Sequence, residues 1–276
     1  MRMTHGRLIA AAGILAWILA AFASADAAEL SYTGSLQFAT GNYIFTERST
    51  GLYLFNGVTV QRSPVRLSAS IPVIFQNNPW ITYTGSGLLP SGGTRDIGED
   101  TRGRTRLPDT TDYVDLGLGD MFIRGDLELL ETAGARPGLQ LSGSVKVPVA
   151  DVETGFGTGE WDFGAGLSTS MSAGGFLLMA DAMYWFLGDM PGLVLEDALS
   201  YGASMGRIFS GGRYGLIASF LGYTQTIEDV DPPLQLSLGF TYLDSAGRSF
   251  NGTCSAGLSE SAPDIGISFG WQMPLR

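Results

Sequence analysis

Lys146 is the only lysine in a chain of 276 residues, and it sits where apolar and polar residues alternate. Leu139, Leu141, Val145, Val147 and Val149 alternate with Gln140, Ser142, Ser144, Lys146 and Pro148, which puts the lysine on the polar face of a β-strand. In the preceding segment Asp120, Arg124, Asp126 and Glu128 share one parity, opposite Met121, Ile123, Leu127 and Leu129. In the following segment Asp162 falls with Glu160, Ser168 and Ser170, opposite Trp161, Phe163, Leu167 and Met171. If these strands pair as successive hairpins through the connections at 131–137 and 150–159, Lys146 lies across from Asp162 on one side and near Asp120 or Arg124 on the other. Charges gathered on one face either neutralise one another or line a path for a solute. One strand further, Leu177, Met179, Met183 and Trp185 share parity with Asp181, so an apolar strip joins that face if Asp181 does.

Other chemistries are ruled out by residue supply. His5 is the only histidine and falls in an N-terminal leader, so no Ser-His triad or histidine metal site can form in the mature chain. Cys254 is the only cysteine and has no basic neighbour in sequence to activate it; it reads as a small outward-facing apolar side chain. A Ser-Lys pair around Lys146 is the one nucleophilic arrangement left, and no second feature activates a serine. Gly155, Gly157 and Gly159 imitate a phosphate loop, but Trp161 onward alternates as a strand where a helix would be required. Asp151, Glu153 and Glu160 do not have the spacing of a calcium loop. No cofactor and no metal are expected.

The elements that must position these charges are strands. Twelve alternating segments recur, at about 31–43, 51–61, 65–75, 114–130, 138–149, 160–171, 176–187, 197–209, 214–225, 233–243, 250–259 and 263–273. Most are close to the roughly 9 to 11 residues of a tilted membrane strand. The connections alternate between tight Gly, Ser or Pro turns and longer, more acidic stretches, which fits periplasmic turns and extracellular loops. The longest connection, about 76–113, has no convincing strand pattern from Asn78 to Asp112 and reads as a long extracellular loop. Within the fourth segment Leu116 and Leu118 share the parity of Asp120, so the phase must change near Gly117 to Gly119, as at a bulge. Tyr32, Phe163, Tyr184, Trp185, Tyr201 and Tyr242 are candidates for aromatic girdles.

Arg2 and Arg7 precede an apolar run from Leu8 to Ala23 and then Ala25-Asp26-Ala27, the pattern of a secretory signal peptide over residues 1–27. Removing it leaves 14 basic and 26 acidic residues, a net charge of −12, which excludes nucleic acid as a partner. No apolar run of spanning length follows residue 27. A membrane protein of this composition must therefore be a closed barrel, which satisfies its backbone between strands. A soluble β-sandwich also alternates. Against it, the apolar face carries large residues at nearly every strand, the other face is Gly, Ser and Thr, and the charges concentrate in loops.

Three stretches carry a family resemblance: Asp115-Leu-Gly-Leu-Gly-Asp120, Leu141-Ser-Gly-Ser-Val-Lys-Val-Pro148, and Gly155-Phe-Gly-Thr-Gly-Glu-Trp-Asp162 running on from Phe163 to Ser168. Over about residues 113–190 the chain resembles the transporter-like outer-membrane proteins of the meta-pathway of phenol degradation. The matching positions are Gly119, Asp120, Lys146, Pro148, Gly157, Gly159 and Asp162. The family commonly follows Lys-x-Pro with Thr-Gly, whereas Val149 and Ala150 stand here. The resemblance implies a barrel that admits hydrophobic or aromatic compounds, by loose analogy with long-chain fatty acid channels.

The sequence thus predicts an all-β chain, a transmembrane antiparallel up-and-down β-barrel of about 12 strands over residues 28–276, located in the bacterial outer membrane. The expected partners are outer-membrane lipid and a small hydrophobic or aromatic solute, passing by diffusion. Asp120, Arg124, Asp126, Lys146, Asp162 and Asp181 are the candidate lumen residues. A structural or adhesive barrel without transport, and a membrane-embedded lipid hydrolase, are the competing readings.

Overall fold

The computed structural model describes residues 28–45, 47–79, 81–85, 87–90, 98–99, 105–106, 115–150, 156–189 and 194–275. The leader expected over 1–27, the carboxylates Asp151 and Glu153, and most of the charged stretch between Arg95 and Asp112 lie outside the described residues. The strands are β1 (Glu29–Gly41), β2 (Ser49–Arg62), β3 (Val65–Gln76), β4 (Ile81–Thr84), β5 (Gly87–Pro90), β6 (Gly98–Glu99), β7 (Thr105–Arg106), β8 (Asp115–Leu118), β9 (Met121–Leu130), β10 (Gly138–Val147), β11 (Asp162–Ala173), β12 (Phe176–Phe186), β13 (Ala198–Phe209), β14 (Tyr214–Tyr223), β15 (Leu234–Leu243), β16 (Ser249–Gly257) and β17 (Ile265–Leu275).

Every wall strand pairs antiparallel with its sequence neighbours, and β1 pairs with β17 along their whole length, from Leu30↔Leu275 to Thr40↔Ile265. With β8 and β9 forming one interrupted wall strand, the result is a closed barrel of twelve. Closure leaves no edge to solvate, which is the condition for a sheet to sit in lipid. The outward residues are large and apolar: Leu238 is 69% exposed, Leu216 and Ile267 53% each, and Phe269 50%. A continuous band of such side chains is far larger than the apolar patches a soluble monomer shows. Tyr214, Tyr242, Phe250 and Trp271 stand directly opposite one another on four successive strands. Their rings form a chain through Phe269, with centroids 5.3 to 6.4 Å apart along it, stacked from Tyr214 to Phe269 and tilted between Phe269 and Trp271. Cys254 is exposed on the same outer face, across from Leu238 and Ile267.

The phase change in the fourth wall strand is a real break. Val73 pairs with Leu118 but Ser70 pairs with Phe122, so one extra residue is accommodated between β8 and β9. Gly119 fills the break, where a Cβ would come within 2.6 Å of the Ile74 side chain and 2.7 Å of the Pro72 ring. The extra residue turns Leu116 outward (64% exposed) and Asp120 inward (1% exposed), although both share a parity. Trp185 corrects the girdle assignment: it is 7% exposed, and its Nε1 donates to the Ser200 hydroxyl at 3.1 Å on the inner face.

The segment after β3 also differs from the expected plain loop, because β4 and β5 form a hairpin folded into the barrel. Tyr83 sits 5.1 Å from the Phe55 ring of β2 and 5.5 Å from Phe122 of β9, ring centroid to ring centroid. Leu89, on the other strand of the hairpin, packs with Met183 and Trp185 of β12, Leu195, Ala198 of β13 and Ile227. An element that touches inner faces on both sides of a closed wall crosses the lumen. Thr82 and Thr84 are as buried as Ile81 and Leu89. With no solvent-facing side there is no in/out contrast, which is why alternation does not reveal this hairpin.

Candidate functional site

Lys146 is placed by register. On β10 it faces Asp162 of β11 on one side and Phe122 of β9 on the other. The strand break brings Asp120 back toward it from beyond Phe122. The Lys146 Nζ lies 3.3 Å from Asp162 Oδ2 and 3.4 Å from Asp120 Oδ2, and donates to Thr158 Oγ1. None of the three charged side chains is more than 1% exposed. Two carboxylates against one ammonium leave a buried charge of −1, and backbone N–H groups supply the balance. Asp120 Oδ1 accepts from the backbone N–H groups of Val149 and Ala150 at 3.0 Å each, and its Oδ2 accepts from Thr158 N–H at 3.4 Å. Asp162 Oδ2 accepts from Gly85 N–H at 2.8 Å and its Oδ1 from Gly188 N–H at 3.1 Å. Burial of charge is tolerable only with such complete pairing.

The triad therefore ties together four pieces of chain at the long-loop end: the turn of the inner hairpin, the segment after β10, the one before β11 and the one after β12. The glycines around it are there for space and backbone conformation. A Cβ on Gly157 would come within 2.6 Å of Asp120 Oδ1 and 2.7 Å of Ala150 Cβ, and Gly159 has φ of +80°. Gly157→Ala is expected to cost about 1 to 3 kcal/mol through forced displacement of that carboxylate. A lower midpoint for the heat-induced gel shift in detergent checks it. Gly119, Asp120, Lys146, Pro148, Gly157, Gly159 and Asp162, scattered over three segments of sequence, all lie in or beside this one cluster.

Of the two partners open to Lys146 on the β9 side, the structure takes Asp120. Arg124 belongs to a second network further into the barrel, with Nε 3.0 Å from Asp126 Oδ1 and Nη2 donating to Ser142 Oγ at 3.0 Å. Ser142 in turn donates to Asp126 at 2.6 Å. Asp181 faces a separate inner-wall cavity of about 250 Å³ shared with Glu128 and Met179. Thr158, Gly85 and Phe122 complete the site and were not anticipated. Phe122 could have been found from its parity with Arg124; the other two lie in connections that carry no period.

Among the described residues, two chambers lie between the hairpin and the wall. One, of about 420 Å³, is bounded by Phe55, Tyr83, Phe122, Trp185, Arg124 and Ser144 among others. The second, of about 260 Å³, lies against β14 to β17 and β1. The loops over them pack as well: Tyr43, Phe45 and Ile81 form a small apolar cluster with Leu88. Burial, with the nearby Asp264 charge second, pushes the Tyr43 hydroxyl above its ordinary pKa.

No protein-family model matches the chain, and no curated protein sequence matches it significantly. Among solved structures, an outer-membrane channel from Pseudomonas putida F1 superposes with a TM-score of 0.64 at 9% identity, covering 91% of this chain and 97% of that one. The KdgM porin gives 0.45 at 6% identity, covering 90% and 99%. The CymD monoaromatic hydrocarbon channel gives 0.42 at 8% identity, covering 92% and 90%. The first of these likenesses is one of fold, that of an outer-membrane β-barrel.

Proposed function

We propose that this chain is an outer-membrane channel through which small hydrophobic or aromatic solutes pass down their own gradient. The observation that carries this reading is the inner lining of the 420 Å³ chamber, where the rings of Phe55, Tyr83, Phe122, Trp185 and Tyr223 converge from the wall and the hairpin. Aromatic faces offer offset or edge contacts to a planar solute without fixing its identity. The motif resemblance to the phenol-degradation family points the same way. A barrel built only to be filled would not need chambers of this size beside a hairpin already well packed.

The hairpin itself favours a second reading, a sealed structural or adhesive barrel, since it crosses the lumen. Reconstitution separates the two. Proteoliposomes carrying the protein should swell in iso-osmotic solutions of small neutral aromatics faster than empty liposomes do, and exclude a trisaccharide. Swelling no faster than that of empty liposomes for every solute would leave the sealed barrel. Lipid hydrolysis gains no support from Lys146, which is engaged as the counter-charge of two carboxylates and donates to Thr158.

A further inference from the structure

The two chambers share a boundary: Gln37, Tyr83, Gly87 and Tyr223 line both. Gly87 is at the turn of the inner hairpin with φ of +124°, and a Cβ built on it would lie 3.5 Å from the Tyr223 hydroxyl. The hairpin backbone and the Tyr223 side chain thus face each other at near contact, with Gln37 projecting from β1.

The hairpin is a fixed partition and not a flap. Tyr83 is enclosed by three wall aromatics, Leu89 is 2% exposed in an apolar cluster, and the Gly85 N–H is held by the buried Asp162. A solute must therefore go around it. Among the described residues, Leu89, Trp185 and the buried triad fill the β9 to β12 side. The remaining way is along β14 to β17 and β1. Their inward positions read Ser219, Leu221 and Tyr223, then Gln235, Ser237 and Thr241, then Asn251, Thr253 and Ser255, then Ser268 and Gln272, then Thr33, Ser35 and Gln37. Apart from Glu29 at the very start of β1, that half of the inner wall carries no charged strand residue.

Resting on the channel reading, we propose that the neck formed by Gln37, Tyr83, Gly87 and Tyr223 is the specificity-determining constriction, and that it passes uncharged ring compounds with hydrogen-bonding groups while rejecting ions of either sign. Hydroxyl and amide groups replace the water lost by a neutral polar solute. An ion shedding water at the neck meets four uncharged residues and makes no ion pair with its lining, so its desolvation is not repaid there. Of the charges nearest the neck, Arg124 on the 420 Å³ chamber is paired with Asp126, and Asp181 lies near enough for its charge to act on the Tyr223 hydroxyl without lining either chamber.

Nicotinamide, nicotinate and 1-methylnicotinamide, methylated at the ring nitrogen, present one ring in neutral, anionic and cationic form. In swelling assays on proteoliposomes of the full chain, nicotinamide is expected to enter at least about tenfold faster than either ion. Tyr223→Ala and Gln37→Ala should each speed nicotinamide and shrink its advantage over the ions to about threefold or less, since water can then accompany the ion. Retained heat-modifiable gel mobility verifies that each variant is folded. If Tyr223→Ala does not fold, Tyr223→Phe keeps the ring, removes the hydroxyl facing Gly87, and should give a smaller change in the same direction. Equal rates for the three solutes, or an advantage indifferent to all these substitutions, would overturn the neck and leave the channel standing. Failure of all three to enter faster than into empty liposomes overturns the channel reading and the neck with it.

Discussion

Lys146→Met is expected to destabilise the long-loop end of the barrel by about 3 to 5 kcal/mol, the cost of removing one partner from a buried ion pair. The methionine fits the space of the lysine stem but leaves Asp120 and Asp162 facing each other without a cation. Their five backbone donors soften the loss and cannot cancel it. The wall strands keep their ladder hydrogen bonds, so the folded barrel should persist at room temperature with a lowered gel-shift midpoint. Proteolysis in the connections after β10 and β12 should become faster, because both are pinned by the triad. Combining Lys146→Met with Asp120→Asn and Asp162→Asn removes the uncompensated charge but leaves each side chain one acceptor oxygen in place of two. The amide at position 120 can still accept from Val149 and Ala150 N–H, while Thr158 N–H and one of the Gly85 and Gly188 N–H groups lose their acceptor, so the combination should recover part of the lost stability. A single substitution that leaves the midpoint unchanged would mean that the buried cluster contributes little. Because the triad lies outside both chambers, the folded fraction should retain its preference among neutral solutes.

The second large effect is on flux. Replacing residues 81–90 with a short Gly-Ser linker takes away the partition between the chambers, and small-solute entry is expected to rise by about tenfold or more as the lumen widens. The preference for neutral over charged rings should vanish with it. The same change removes Tyr83 and Leu89 from their clusters, each worth about 2 to 5 kcal/mol when truncated to alanine, so the variant should also melt earlier. Single-channel recordings and the heat-induced gel shift give the two readouts. An unaltered conductance would show that the hairpin does not obstruct the path.

How much of this was legible beforehand follows from where side chains meet two different surroundings. Ile265, Ile267 and Phe269 against Gly266, Ser268 and Gly270 is a contrast between the outer face and the lumen, repeated on most wall strands. Period two therefore gives the twelve segments, the closed antiparallel fold and the inward face of Lys146, and the glycines near 117–119 mark the break that turns Asp120 inward. The antiparallel register of β10 with β11 then sets Lys146 opposite Asp162. Each of these is a local property of strand geometry, and the sequence by itself determines it.

The rest depended on contacts between residues far apart in the chain. That Lys146 takes Asp120 and not Arg124 depends on one extra residue at the break and on donors from loops. That Trp185 faces the lumen follows from its parity with Asp181, but that it is buried there depends on the hairpin residue Leu89 packed in the same cluster. The hairpin of Ile81 to Pro90 is buried on both faces, so no pattern announces it, and only the closed wall supplies the Phe55, Phe122 and Met183 surfaces that hold it. Alternation reports which medium a strand face meets. What fills the lumen, and where a solute can pass, is decided by side chains from opposite sides of the barrel, and only the tertiary structure brings those together.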